Sequence, residues 1–185
     1  MCNCGKRSDP SLNIDMYMQL NPIDPVEWGP ILWKYLHSIS ERLGQSGVDS
    51  IDFDEATYVE NMIQLLPKIL PCQECQDHAR TYLQAENPLP SLRDKKGAVL
   101  RNTVRQWLFD FHNAVRSRKG QPILVNTLEE YSALYATSSI SQAEYSKFIE
   151  AVAAAARINW VRLEDWRIWY NFSERIRGYI YGLVV

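Results

Sequence analysis

No stretch of this sequence is apolar for long enough to cross a membrane. The longest uninterrupted apolar run, residues 151–156, falls far short of the roughly 18 residues a spanning helix needs. Charge of one sign is not in excess either. Twenty Lys and Arg stand against 22 Asp and Glu, for a formal net charge of −2, so there is no general electrostatic case for nucleic-acid binding. Cysteine is scarce, with four in 185 residues, too few for a secreted scaffold stapled by disulfides. The first ten residues, MCNCGKRSDP, contain no apolar core of the kind a secretory signal has, so none is expected. Strand-type alternation of useful length, internal repeats and low-complexity tracts are also missing.

What remains is a globular composition, 46% hydrophobic and 11% aromatic, with helical periodicity nearly throughout. Trp28, Ile31, Leu32, Tyr35, Leu36, Ile39 and Leu43 recur at steps of three and four, with Asp24 and Pro25 before them and Gly44 after. A second helix is expected over 54–70, with Val59, Met62, Ile63, Leu66 and Ile69 as its buried stripe. A third opens at Pro71-Cys72 and stops before Asn87-Pro88. Residues 87–96 read as a loop. A fourth helix is expected over 98–119, with Val104, Trp107, Leu108, Phe111 and Val115 inward, ended by Gly120 and Pro122. The fold class is therefore all-α: a four-helix bundle, a short fifth helix over 127–137, and a helical C-terminal extension. Within the extension, Ser141-x-x-Glu144 has the form of a capping box. Residues 161–181 carry Trp166, Trp169, Tyr170 and Phe172, either a packing surface for a partner or a layer buried beneath the core. Three regions follow: a flexible N-terminal arm over 1–24, a bundle over 25–137 and the extension over 138–185.

The four cysteines fall into two close pairs, Cys2/Cys4 and Cys72/Cys75. A Cys-x-x-Cys that opens a helix sets a thiol among unpaired backbone N–H groups at the positive end of the macrodipole, which favours the thiolate. That form attacks disulfides, transfers electrons and binds metal. A structural disulfide is the plain alternative. Zinc is another, because Cys72, Cys75 and His78 have ligand spacing and a distant His112 could complete the set, although zinc cysteines usually sit in knuckles and not at the start of a long helix. On the first helix, Trp33 and His37 stand one turn apart, off the apolar stripe, where they form either a half-exposed aromatic pair or the lining for a flat ligand. The last turn of the fourth helix gathers His112, Asn113, Arg116, Arg118 and Lys119, cations that suit either the helix dipole or a phosphate.

Three motifs occur in one order: Trp28-Gly29 to Trp33 to His37; Pro71-Cys72 to Cys75; and Trp107-Leu108 to His112-Asn113 to Val115, followed by a basic turn with Gly120 and Pro122. In this the chain resembles the Erv/ALR family of FAD-linked sulfhydryl oxidases over about residues 25–122. The resemblance implies a helical bundle that clamps FAD beside the CxxC. It implies that Cys75 is the thiol next to the flavin and Cys72 the exchange thiol, the pair forming a redox-active disulfide. Gly29, Trp33, His37, Cys75, His112, Asn113, Val115 and Arg116 match cofactor-contacting positions. Lys119, and the Trp166-Arg167 dipeptide in place of a late Trp-Arg pair, are further candidates. The chain departs from the family pattern at Arg116, where Asn is common, at Gln121, where Lys is common, and at Leu70, where an aromatic usually precedes the Pro-Cys.

The implied activity is oxidation of dithiols to disulfides, with electrons passing to FAD and then to dioxygen to give hydrogen peroxide. The implied partners are protein dithiols or a thioredoxin-like thiol carrier, dioxygen, and a second copy of the chain in a homodimer through the first two helices. Cys2/Cys4 would be a shuttle disulfide on the arm. The extension and the lack of a signal suggest a late protein of a large DNA virus acting in the host cytoplasm, with the mitochondrial intermembrane space as the alternative.

Overall fold

The computed structural model describes residues 24–182, so Cys2 and Cys4 lie outside the described residues. Among these the chain forms seven α-helices and no strand. They are α1 (Pro25–Ser40), α2 (Asp49–Ile69), α3 (Gln73–Ala85), α4 (Gly97–Arg118), α5 (Leu128–Tyr135), α6 (Gln142–Arg157) and α7 (Leu163–Tyr181), with a 3-10 turn at Leu89–Ser91 inside the expected loop.

Asp24 caps α1, its side chain accepting from the backbone N–H of Val26 at 2.9 Å, and Pro25 occupies the first turn, where no N–H is needed. α1 is the central helix. It packs against α4, α5, α6 and α7, and buries Trp28, Leu32, Tyr35, Leu36 and Ile39. α2 lies along α3 on one side and along α7 on the other.

α2 begins at Asp49, five residues before the apolar stripe predicts. Its first turns are polar in sequence, yet Asp52 and Glu55 there are buried, because the two carboxylates serve the backbone of neighbouring segments. Asp52 accepts from the N–H of Gly97 at 2.9 Å and Glu55 from the N–H of Gly44 at 2.6 Å. Gly44 has φ +62°, and a Cβ on it would sit 2.2 Å from the carbonyl oxygen of Gly97. The turn after α1 and the start of α4 thus touch backbone to backbone, which only glycine allows.

The extension is part of the same core. α6 starts with the expected capping box at Ser141 and Glu144. In α7, Trp169 is fully buried and its Nε1 donates to the carbonyl of Met62 in α2 at 3.2 Å. Trp166 stacks on Trp169 with ring centres 5.6 Å apart. Ser173, also fully buried, takes a hydrogen bond from the Tyr35 hydroxyl on its carbonyl at 3.2 Å and shares its own hydroxyl with Tyr145 at 2.7 Å. Of the two readings of the aromatic C-terminal segment, burial against the bundle is the one observed.

Truncating Trp169 therefore removes both a large buried surface and the hydrogen bond that joins α7 to α2. We expect Trp169→Ala to cost about 3–5 kcal/mol in urea unfolding, within a single cooperative transition. A cost below about 1 kcal/mol would show that α7 is an appendage.

Candidate active site

α2 ends where Leu70 turns extended (φ −65°, ψ 127°) ahead of Pro71, as the residue before a proline must. Cys72 is then the N-cap of α3 and not its first helical residue, so the helix starts at Gln73, one position later than the sequence suggests. The backbone N–H of Cys75 donates to Cys72 Sγ at 3.2 Å. The thiolate that appears at Cys72 when the bond opens is held directly by a helix N-terminal N–H as well as by the dipole. Cys72 and Cys75 are joined as a disulfide, Cα atoms 5.2 Å apart, and both are half-buried.

Cys75 faces a cleft of about 400 Å³ that runs between α1, the ends of α2, the start of α3 and the last turns of α4. Of the residues singled out from sequence, Gly29, Trp33, Cys75, His112, Val115, Arg116 and Lys119 line it. Cys72 does not line it, and His37 lies just behind the lining. Trp33 stacks on His112 with ring centres 4.0 Å apart and planes 4° from parallel, and on His37 at 5.6 Å. His37 Nε2 and His112 Nδ1 are 3.3 Å apart. Asn113, one position on, has its side-chain oxygen buried without a partner. Trp166 and Arg167 lie elsewhere: Trp166 is buried against Phe148 and Trp169, Arg167 is exposed, and neither lines the cleft.

The three positions that depart from the family pattern all line the cleft as well: Leu70, Arg116 and Gln121. Arg116 Nε donates to the carbonyl of Pro122 at 2.7 Å, and the N–H of Gln121 returns to the carbonyl of Arg116 at 2.9 Å. This folds the Gly120 turn back over the rim. Arg118 reaches across to Glu74, inside the CxxC, at 2.8 Å.

Sequence reasoning missed two residues of the site. Tyr131 and Tyr135 of α5 close the cleft behind the histidines. The Tyr131 hydroxyl bonds to both His37 Nε2 and His112 Nδ1, and Tyr135 lies over His37 with ring centres 4.7 Å apart and lines the cleft. The available signal was the Thr127 cap followed by two tyrosines at an i, i+4 spacing, which puts both on one face.

Burial, then His112, holds the His37 imidazole well below its usual range. Burial, then Arg116, lowers His112 to about 4. Burial, then Arg118, lowers His78, which lines the cleft one turn from Cys75. Both buried imidazoles are thus neutral near pH 7, and both share the Tyr131 hydroxyl.

The lining suits FAD. Leu66, Leu70, Phe111 and Val115 make an apolar wall beside Cys75, fit for a flat ring system. The Trp33–His112 pair offers an aromatic face, and Arg116, Arg118 and Lys119 place cations at the rim for phosphates, whereas Asn113, with its buried and unpartnered side-chain oxygen, does not line the cleft. Zinc fits poorly. Both thiols are spent in a disulfide, His112 is committed to Tyr131, and no cluster of three or more His, Cys, Asp or Glu among the described residues could hold a metal.

The chain matches the Erv1 / Alr family over residues 30–150, and it belongs to that family. It is similar to the FAD-linked sulfhydryl oxidase of African swine fever virus (isolate Warthog/Namibia/Wart80/1980), 29% identical over 124 residues, covering 66% of this chain and 91% of that protein. Two iridescent-virus proteins provisionally named FAD-linked sulfhydryl oxidases are also similar. Protein 096R of Invertebrate iridescent virus 3 is 31% identical over 102 residues, 55% of this chain and 62% of that protein. Protein 347L of Invertebrate iridescent virus 6 is 31% identical over 109 residues, 57% of this chain and 90% of that protein. No solved structure matches the chain significantly.

The depressed histidines make stability depend on pH. In the unfolded chain an imidazole takes its proton near 6.5, but folded His112 takes it only near 4. Between those values the unfolded state binds more protons, so stability falls as pH drops from 6.5 towards 4, by up to about 1.4 kcal/mol per pH unit for each such histidine. His112→Gln should flatten this slope in thermal unfolding measured across that window. An unchanged slope would show that His112 titrates normally in the folded protein.

Proposed function

We propose that this protein is an FAD-dependent sulfhydryl oxidase that forms disulfide bonds in protein substrates. The observation that carries the reading is the Cys72–Cys75 disulfide at the N-terminus of α3 with Cys75 alone facing the cofactor-shaped cleft. Bound in that cleft, FAD supplies the two-electron chemistry that carries electrons from the Cys72–Cys75 dithiol to dioxygen, giving hydrogen peroxide. The protein's own contribution is position and charge. Cys72, capped by the Cys75 N–H, is the exchange thiol, and its thiolate is stabilised where a substrate sulfur meets it. Cys75 faces the apolar wall, which keeps water from its sulfur. Arg116, Arg118 and Lys119 hold phosphate, and the neutral His37–His112–Tyr131 group fixes the floor.

The redox partners are protein dithiols or a thioredoxin-like carrier. The similarity to viral proteins supports an infected host cell as the setting, and the cytoplasm is the compartment we assign within it. No helix among the described residues is long and apolar enough to cross a membrane. Localisation of a tagged chain in infected cells tests the assignment. A homodimer is the family-type assembly. The dimer we assign forms through the faces of α1 and α2 that α6 and α7 leave open, and size exclusion at micromolar concentration tests whether two copies associate at all.

The two thiols are unequal. Cys75→Ser should abolish flavin reduction by dithiothreitol. Cys72→Ser leaves Cys75 free at the cleft and should add long-wavelength charge-transfer absorption, with turnover lost. Full turnover in both variants, measured as oxygen consumption, would sink the reading. For the arm, changing Cys2 and Cys4 together to serine should spare oxidation of dithiothreitol and slow oxidation of a reduced protein. Equal loss on both, or none on either, rules out a shuttle.

A further inference from the structure

α3 shows two different faces to the molecule. Cys75 and His78, three residues apart, line the cleft, whereas Cys72 and Gln76, four apart and so on one face, do not. Gln76 instead reaches the C-terminal extension. Its Nε2 donates to the carbonyl of Leu70 and to the carbonyl of Trp160, both at 2.8 Å. Trp160 belongs to the turn between α6 and α7, which is built to hold this position. Its N–H returns to Ala155 at 2.9 Å, the N–H of Asn159 returns to Ala156 at 3.1 Å, and Asn159 is the one non-glycine residue with positive φ among the described residues, at 60°. Trp160 is half-buried and packs on the same core as Cys72. On the far side of the turn, Asp165 meets Lys68 of α2 at 3.6 Å. The segment Leu70-Pro71-Cys72 is therefore flanked by the α6–α7 turn.

The chemistry of exchange says which side a substrate must use. A thiolate attacks a disulfide sulfur in line with the bond that breaks. The substrate sulfur forms a bond to Cys72 Sγ, the Cys72–Cys75 bond breaks, and Cys75 leaves as a thiolate towards the cleft. A second substrate thiolate then attacks the substrate sulfur of the mixed disulfide and releases Cys72 as a thiolate. Two substrate thiols become one disulfide, two electrons reside on the Cys72–Cys75 pair, and the substrate's two thiol protons have passed to solvent or to the pair. Because Cys75 lies on the cleft side, the incoming sulfur approaches from the side away from the cleft, where the turn stands. Where that turn enters α7, Arg162, paired with Glu164 at 3.0 Å and Asp165 at 3.9 Å, and Leu163, the first residue of the helix, are exposed, the latter 51% although apolar.

We propose that the α6–α7 turn is the docking edge for the substrate, and that Arg162 and Leu163 contact an extended, thiol-bearing segment of an unfolded protein as it exchanges with Cys72. This rests on the reading of Cys72 as the exchange thiol. The extension thereby selects protein dithiols, while a small dithiol reaches Cys72 without it.

The test compares two substrates, dithiothreitol and reduced, unfolded ribonuclease A, on the flavin-loaded full chain. Leu163→Asp, and separately Arg162→Gln, change exposed side chains, the second also releasing the surface pairs to Glu164 and Asp165 without adding a like charge beside them. Each should lower kcat/KM for the reduced protein about fivefold and leave dithiothreitol oxidation and flavin content unchanged. No change with either substrate in both variants, or a parallel loss with both substrates, would overturn the proposal. Dithiothreitol oxidation by the unaltered chain reports separately on the oxidase reading: its absence would remove that reading and the docking edge with it, whereas its presence with unselective variants removes the docking edge alone.

Discussion

The disulfide at the start of α3 sets one sulfur, that of Cys75, at the cleft and the other, that of Cys72, away from it, and the surrounding structure holds that arrangement. A helix N-terminus allows it because successive positions there face different directions while sharing one dipole. Pro71 ends α2 and lets the chain re-enter a helix at once, so the two cysteines sit at the junction of α2 and α3. Leu70 and Pro71 are buried on the approach, and Gln76 pins the turn from the other flank. Small rotations of α3 would move Cys75 off the cleft or Cys72 into it.

α1 supplies the opposite wall, and what it packs against explains why the chain needs more than four helices. One stretch carries Gly29 and Trp33 at the cleft and His37 behind it, where a neutral imidazole is held by Tyr131 of α5. The apolar face beside them is covered by α6, with Lys34 reaching Glu144 at 2.8 Å; Lys34 first, then the Ser141 cap, lowers that carboxyl to about 2. Its exposed position makes the pair a small contributor to stability. The larger stabilising elements of the extension are Trp169, Phe148 and Tyr145, all fully buried.

Helix periodicity made the bundle legible, because one apolar residue every three or four positions is a direct record of which face is buried. The apolar stripe starts later than α2 does for a physical reason: Asp52 and Glu55 are buried to bond the backbone of Gly97 and Gly44, and a hydrophobic stripe cannot register a carboxylate that faces inward. That Trp33, Cys75, His112 and Val115 share one cleft was legible because motif spacing matches helical geometry. Tyr131 and Tyr135 stayed hidden since their role comes from the way α5 folds back on α4, which no local pattern encodes. Trp166 was placed near the cofactor by dipeptide alone, and its burial against Phe148 and Trp169 shows that a two-residue match carries no position. The aromatic extension left two readings open in sequence, and only tertiary contact with Met62 and Tyr35 separated them.

The account stands on the claim that the cleft between α1, α3 and α4 holds a flavin next to Cys75. The most direct measurement is the visible absorption spectrum of the purified full-length chain, with the released cofactor identified and counted. The account predicts a yellow protein carrying about one FAD per chain that Trp33→Ala strips or weakens. A colourless protein that takes up no FAD, or one that holds zinc instead, would contradict it.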